Sequence, residues 1–119
     1  MKLVNLTTHQ IRVETPRGIV EYPPSGRALK LVTMEENVCE ISSGGESIPV
    51  VRKIFFEPDG GEIPPEKEGV FYIVPNQICQ VMRRPDFIAP DTKVSYGARR
   101  NDDGTVMSVK RFRVYDEIR

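Results

Sequence analysis

The sequence predicts an α+β protein, mainly β: a twisted, largely antiparallel sheet of about six to eight strands, open or partly closed into a barrel, with one short helix packed on it. Ten prolines and nine glycines in 119 residues leave little room for long helices. Hydrophobic residues make up 39% and charged residues 29%, which is ordinary for a chain that buries a core. We therefore expect a single domain covering residues 1–119.

The first half of the chain predicts short strands joined by tight turns. Thr15–Gly18 is a turn signal, and the two prolines of Pro23–Gly26 predict a fixed loop because proline cannot donate to a sheet ladder. Ser42–Gly45 predicts a flexible loop. Alternation and β-branched residues predict strands at 2–6, 10–14, 19–22, 27–34, 37–41 and 48–56.

The second half predicts one helix and a terminal ribbon. Residues 57–69 are rich in proline, glycine and acids and predict an acidic surface loop, whereas the apolar run 70–74 predicts a strand buried on both faces. Ile78, Val81 and Met82 have helical spacing, which predicts a helix of about two turns over 76–84. Pro90 is expected to bar 87–91 from a central strand. Residues 94–100 and 105–115 flank a turn signal at 101–104 and predict a long hairpin.

Charge and cysteine content narrow the function classes. Seventeen basic and seventeen acidic residues cancel, so no overall field attracts nucleic acid or a membrane surface. The first residues turn polar too early for a signal peptide, and no run of 18 apolar residues occurs, so we expect a cytoplasmic protein without a membrane span. Cys39 and Cys79 lie on apolar stretches and are interpreted as buried hydrophobes without a disulfide or metal role.

His9 is the only histidine in the chain. A lone histidine in a turn is usually a hydrogen-bonded structural residue, although a neutral imidazole can also accept a proton near pH 7. One histidine and two cysteines give too few ligands for zinc, and no nucleophile signature is present. We therefore expect no metal and no cofactor, and the sequence favours a non-catalytic protein.

Three other segments could bind an anion. Ser25, Gly26 and Arg27 could offer a backbone nest, a hydroxyl and a guanidinium, or form a plain turn. The helix that begins near Asn76, with Asn76 or Pro75 at its start, leaves free N–H donors, as every helix does. Arg84 and Asp86, held close by a helix end and Pro85, are either a structural ion pair or a clamp for an anionic group.

Taken together, several short motifs resemble a group of small uncharacterised proteins from tailed phages, prophages and some archaeal and bacterial genomes. The motifs are Asn5–His9, Pro23–Gly26, Ile48–Val50, Gly69–Val74, Arg84–Asp86 with Pro90, and the final glycine-containing hairpin. The resemblance covers nearly the full length and implies a mobile-element setting without an assigned activity. It implies a shared polar set at Asn5, His9, Ser25, Arg84 and Asp86. This chain departs at Thr8, where relatives have proline, and at Pro75, where they have serine.

Three function hypotheses follow. The first is a binding module for a small anionic ligand or a protein partner, with candidate residues Asn5, His9, Ser25, Arg27, Asn76, Arg84 and Asp86. The second is a small hydrolase for a phosphorylated or nucleotide substrate, which requires His9 to share one pocket with Arg84 and Asp86. The third is a structural protein that forms a homo-oligomer through the terminal ribbon or a sheet edge.

Overall fold

The structure is a computed structural model that describes residues 1–59 and 63–115, with the backbone alone at 31–32 and 55–59. Its strands and single α-helix confirm the α+β, mainly β class. The elements are β1 Lys2–Asn5, β2 Ile11–Thr15, β3 Gly18–Tyr22, β4 Lys30–Ser43, β5 Glu46–Asp59, β6 Val70–Ile73, α1 Asn76–Met82, β7 Phe87–Pro90, β8 Arg99–Arg100, β9 Val106–Ser108 and β10 Phe112–Arg113.

The body is organised around a four-stranded sheet in the order β1, β6, β7, β10. β6 pairs in parallel with β1 and β7, and β7 pairs antiparallel with β10, so this sheet is mixed. The apolar run in β6 places Tyr72 and Ile73 in the interior, which confirms the predicted central strand. The other strands form separate two-stranded ribbons, and the sheets among the described residues stay open.

β7 corrects one expectation from the sequence. Pro90 was expected to keep 87–91 out of a central strand, yet β7 lies between β6 and β10. Proline is tolerated because it is the last residue of the strand, where it is paired with Phe112, so only the strand's end lacks a donor. Phe87 and Ala89 of β7 are fully buried in the main core.

The main core lies between the central sheet and α1. Phe87 packs edge to face on Tyr72, with ring centroids 6.0 Å apart, and Ile78 and Cys79 of α1 cover them. The predicted helix is confirmed, but its periodicity was partly misleading, because Cys79 is buried whereas Val81 is 42% exposed. The helix ends where Arg83 adopts a left-handed conformation, with φ of 51°.

A second, smaller core lies under the β2–β3 and β8–β9 ribbons and is built on Val13, Ala98 and Val109. The predicted turn at 101–104 is present, since the amide of Asn101 donates to the carbonyl of Thr105 at 2.8 Å. The long terminal hairpin is wrong: Val94–Tyr96 is a 3₁₀ turn, and β10 leaves β9 to join β7. Residues 94–115, predicted as one ribbon, therefore contribute strands to two different sheets.

The longest element is the ribbon of β4 and β5, fourteen residues in each strand, which we call the arm. Gly44 and Gly45, with φ of 60° and 80°, form the two-residue turn that matches strand twist. The two strands predicted at 27–34 and 37–41 are one strand, with a register shift around Val38. Every residue from 33 to 49 is exposed and the molecule is 60 Å long, so the arm projects from the body.

Part of the predicted acidic loop at 57–69 belongs to β5, and its residues 60–62 lie outside the described part of the chain. Tyr72 reaches what remains of this loop, with its hydroxyl donating to the carbonyl of Pro65 at 3.2 Å. Within the described residues, α1 is far too short to span a bilayer, and no helix meets the length and apolarity that a span requires.

Candidate functional site

The side chain of Asn5 connects the loop after β1 to the end of β3 through hydrogen bonds. Its amide nitrogen donates to the carbonyls of His9 at 2.8 Å and Tyr22 at 2.9 Å, and its amide oxygen accepts from the backbone and hydroxyl of Thr7. The carbonyl of Asn5 also accepts from the amide of Ser25 at 2.9 Å. The side chain is buried and its four hydrogen bonds leave no donor for a ligand. The structure thus brings Asn5, His9 and Ser25 together through backbone contacts.

Ser25 and Arg27 line a small hollow with a partly cationic wall. The hollow has a volume of about 280 Å³, and Lys67 also lines it, together with the apolar side chains of Val4, Leu6 and Leu29. The amide of Arg27 donates weakly to the hydroxyl of Ser25 at 3.4 Å, as in a turn. Two cations beside one hollow can attract a small carboxylate or phosphate.

Arg84 and Asp86 form a two-point ion pair, with nitrogen to oxygen distances of 2.9 and 2.6 Å. The third guanidinium nitrogen donates to the carbonyl of Pro64 at 2.7 Å, and the guanidinium stacks on the ring of Phe87 at 4.1 Å. The side chains are only 17% and 11% exposed. This geometry ties the segment after α1 to the loop before β6, as a structural pair would.

His9 and Asp86 of that pair border different cavities. The side chain of His9 is exposed and borders a groove of about 730 Å³ between β2 and the β8–β9 ribbon, with Arg12 and Arg100 nearby. Asp86 lines a different cavity, and Arg84 does not line the groove at His9. The pocket that a hydrolase would need is therefore not assembled around these three residues.

Asn76 also has an internal partner. It is the first residue of α1, after the N-cap Pro75, which offers no side-chain capping hydrogen bond. The side-chain oxygen of Asn76 accepts from the hydroxyl of Tyr115 at 2.9 Å. The short helix is anchored through this contact to the end of the described chain.

Sequence patterns did not predict the buried acid Asp91. Its side chain is 1% exposed and bonds Arg111 at 2.7 Å and Arg113 at 3.2 Å. Burial alone would raise the pKa of Asp91, but hydrogen bonds from Arg111, from the amide of Lys93 and from Arg113 lower it to about 2. The two arginines lie twenty or more residues further along the chain, so local spacing could not reveal them.

The arm has two faces of different chemistry, which follow from its register. Paired residues of an antiparallel ribbon share a face, and successive pairs alternate between faces. The pairs Met34 with Ile54, Cys39 with Val50 and Ile41 with Ile48 lie on one face, together with the charged pair Glu36 with Arg52 and the tip pair Ser43 with Glu46. We call this the apolar face. The opposite, polar face carries Glu35, Asn37, Glu40, Ser42, Ser47, Pro49, Val51 and Lys53.

The apolar face is open to solvent. Met34, Ile41 and Ile48 are each about half exposed, at 50%, 52% and 48%. Cys39 is also exposed, so its predicted burial is wrong, whereas the predicted burial of Cys79 is confirmed. Burial raises the pKa of the Cys79 thiol. The prediction for Cys39 was wrong because alternating neighbours are typical of a half-buried strand, whereas no part of the chain that the structure describes covers this side chain.

The two edges of the arm are blunted against strand addition. Pro49 pairs with Glu40 inside the ribbon, which places its donor-free nitrogen on the outer edge of β5. On β4, the register shift at Val38 and the charges of Glu35 and Glu36 interrupt the outer edge. Bulges, charges and edge prolines are the usual devices that prevent edge pairing. The apolar face, in contrast, presents three apolar pairs.

Among residues 1–59 and 63–115, no three metal-ligating side chains come together. Comparisons of the chain with protein-family models, curated proteins and solved structures found no match.

Proposed function

We propose that this protein is a non-catalytic protein-binding module that engages its partner through the apolar face of the arm. The observation that carries the proposal is the row of half-exposed Met34, Ile41 and Ile48 on a ribbon that projects from the body. Two-stranded ribbons are marginal in water unless a hydrophobic face packs on something. A protein surface laid on this face would supply that packing.

The candidate residues of the body support a binding role less well. Asn5, Asn76, Arg84 and Asp86 each have partners within the chain, at distances typical of structural contacts. Their assignment as site residues stays a prediction. The arm, in contrast, shows apolar area that no described part of the chain uses, and such area marks interaction sites.

Photo-crosslinking in the cells that naturally make the protein tests this proposal. A benzophenone amino acid is placed at Ile41 on the apolar face, and at Ser42 on the polar face as the matched control. Both positions are exposed and lie next to each other near the tip. We expect a discrete protein adduct from Ile41 and little from Ser42. Equal capture from both positions, or none from either, would contradict the proposal.

A small anionic ligand is the second candidate, favoured by the hollow that Ser25, Arg27 and Lys67 share. Ligand binding to the folded state raises thermal stability by mass action. A thermal-shift screen with phosphate and short carboxylates tests it, with Lys67→Met as the variant that should lose the shift. If no anion raises the melting temperature, this second function is excluded.

A further inference from the structure

We infer that the partner on the apolar face is a second copy of this chain, packed so that β4 of each arm lies over β5 of the other. The inference rests on the proposed function, because it names the occupant of the same surface. A two-fold axis that runs along the arm, between the two apolar faces, produces this arrangement.

The charged pair in the middle of the apolar face, Glu36 with Arg52, is self-complementary only in this arrangement. Glu36 and Arg52 pair across the ribbon at 3.2 Å and both remain about half exposed. With the axis along the arm, Glu36 of each copy lies over Arg52 of the other, which gives a four-membered ion network. With the axis across the arm, Glu36 would lie over a second β4, which carries Glu35, Glu36 and Glu40 and no cation in residues 31–43. Opposed like charges disfavour that alternative.

The apolar pairs match in the same way. Because each pair has one member on β4 and one on β5, the same axis places Met34 over Ile54, Cys39 over Val50 and Ile41 over Ile48. Two apolar rows lie on the tip side of the charged pair and one on the base side. Sheets pack face to face about 10 Å apart, which is the spacing that such side chains fill.

The size of the surface determines how tight this dimer is. Strands lie about 4.8 Å apart with about 3.3 Å per residue, so residues 34–43 and 46–54 cover roughly 300 Å² in projection. Two faces would remove on the order of 600–900 Å² from solvent, which is below the 1,200–2,000 Å² typical of stable complexes. We therefore expect a concentration-dependent dimer with a dissociation constant on the order of 10–100 µM.

Sedimentation velocity of the purified chain, from about 5 to about 500 µM, tests self-association. We expect the 13.5 kDa monomer to give way to a dimer across this range. Ile41→Thr with Ile48→Thr keeps strand propensity, removes apolar area and should weaken dimerisation at least tenfold. Ser42→Thr with Ser47→Thr, in the neighbouring pair on the polar face, should leave the dimerisation constant unchanged. A strict monomer at every concentration would overturn the inference.

Charge reversal at Glu36 or Arg52 tests the contact between two copies. In a mixture of the two variants, opposite charges face each other between the copies although each arm on its own carries a like-charged pair. Glu36→Arg alone and Arg52→Glu alone should each lose dimerisation, because each places like charges opposite each other. An equimolar mixture should form a heterodimer, with arginines of one copy over glutamates of the other. A mixture that stays monomeric while the wild type dimerises would show that this charged row does not face its counterpart.

A distance between arm tips tests the direction of the axis. Ser43→Cys in a Cys39→Ser background takes a nitroxide at the tip, on the apolar face. Arms that run the same way place the two labels about 10–20 Å apart, whereas opposed arms separate them by roughly 30 Å or more. The longer distance would overturn the β4-over-β5 arrangement. If the chain stays monomeric but Ile41 captures a protein of another mass in cells, self-association fails and the docking surface remains.

Discussion

Replacing Arg84 with methionine tests whether the arginine predicted as a ligand clamp is a structural tie. Its guanidinium makes two bonds to Asp86, one to the carbonyl of Pro64, and stacks on Phe87. Methionine keeps much of the aliphatic stem and packs well, so the change mainly removes the charged head. The carboxylate of Asp86, 11% exposed, then loses its cation.

These contacts set the expected loss in the free energy of unfolding of Arg84→Met. Loss of a charge-assisted pair costs about 1.5–3 kcal/mol, loss of a neutral acceptor bond about 1 kcal/mol, and loss of ring stacking about 0.5–1 kcal/mol. Because the pair keeps some contact with water, we take the low end, about 3 kcal/mol. The unfolding entropy of a chain of this length is about 0.25 kcal/mol/K, so the melting temperature should fall by about 12 °C.

Thermal and urea unfolding followed by circular dichroism measure this cost. Arg12→Met is the matched control, because Arg12 pairs with the acid Glu21 at 3.3 Å but its side chain is 47% exposed. Such a surface pair contributes at most about 1 kcal/mol. If Arg84→Met proves as mild as Arg12→Met, the structural interpretation is wrong, and Arg84 becomes available for a ligand.

Three further predictions concern the body. The pKa of Asp91 is lowered to about 2 in the folded protein, from 3.8 in the unfolded chain, so the ionised carboxylate stabilises the fold at neutral pH. This contribution is lost as the pH falls from about 4 to about 2. The urea midpoint of Asp91→Asn should therefore lie below that of the wild type at pH 7 and approach it near pH 2. Asn5→Ala removes four hydrogen bonds and should cost about 2–4 kcal/mol by urea unfolding, against about 0.5 kcal/mol for Asn101→Ala, whose amide bonds one exposed hydroxyl. Ser108→Ala should be neutral or stabilising by up to about 1 kcal/mol, because the buried Oγ has no partner among the described residues; a clear loss in the same assay would reveal a bond that this account lacks.

Local sequence patterns correctly predicted those elements whose burial can be inferred from the residues next to them. The apolar run 70–74 became the central strand, and the spacing around Ile78 located α1. Pro90 misled because its effect depends on its place at the end of the strand, which only the pairing with Phe112 reveals. The terminal ribbon failed for a related reason, since β10 pairs with β7, more than twenty residues earlier in the chain.

The solvent exposure of the arm could not be predicted from the sequence pattern. Alternation at Met34, Ile41 and Ile48 predicts strands and their two faces, but an alternating strand is equally typical of one that packs on a core. Exposure of both faces depends on the rest of the chain staying away, which no local signal encodes. The same limit explains why the ion pairs of Asp91 were missed, while the nearby pair of Arg84 and Asp86 was foreseen.

The reactivity of the native thiols tests the docking surface most directly, without any substitution. Cys39 lies on the apolar face and Cys79 lies in the core as an internal control. The purified chain receives a brief pulse of excess N-ethylmaleimide at about 5 µM and at about 500 µM, and mass spectrometry compares labelling of Cys39 at the two concentrations. A second copy on the apolar face predicts labelling several-fold slower at the higher concentration, with Cys79 unreactive at both. Equal rates at Cys39 would mean that the face stays bare, which contradicts the inferred packing of two arms.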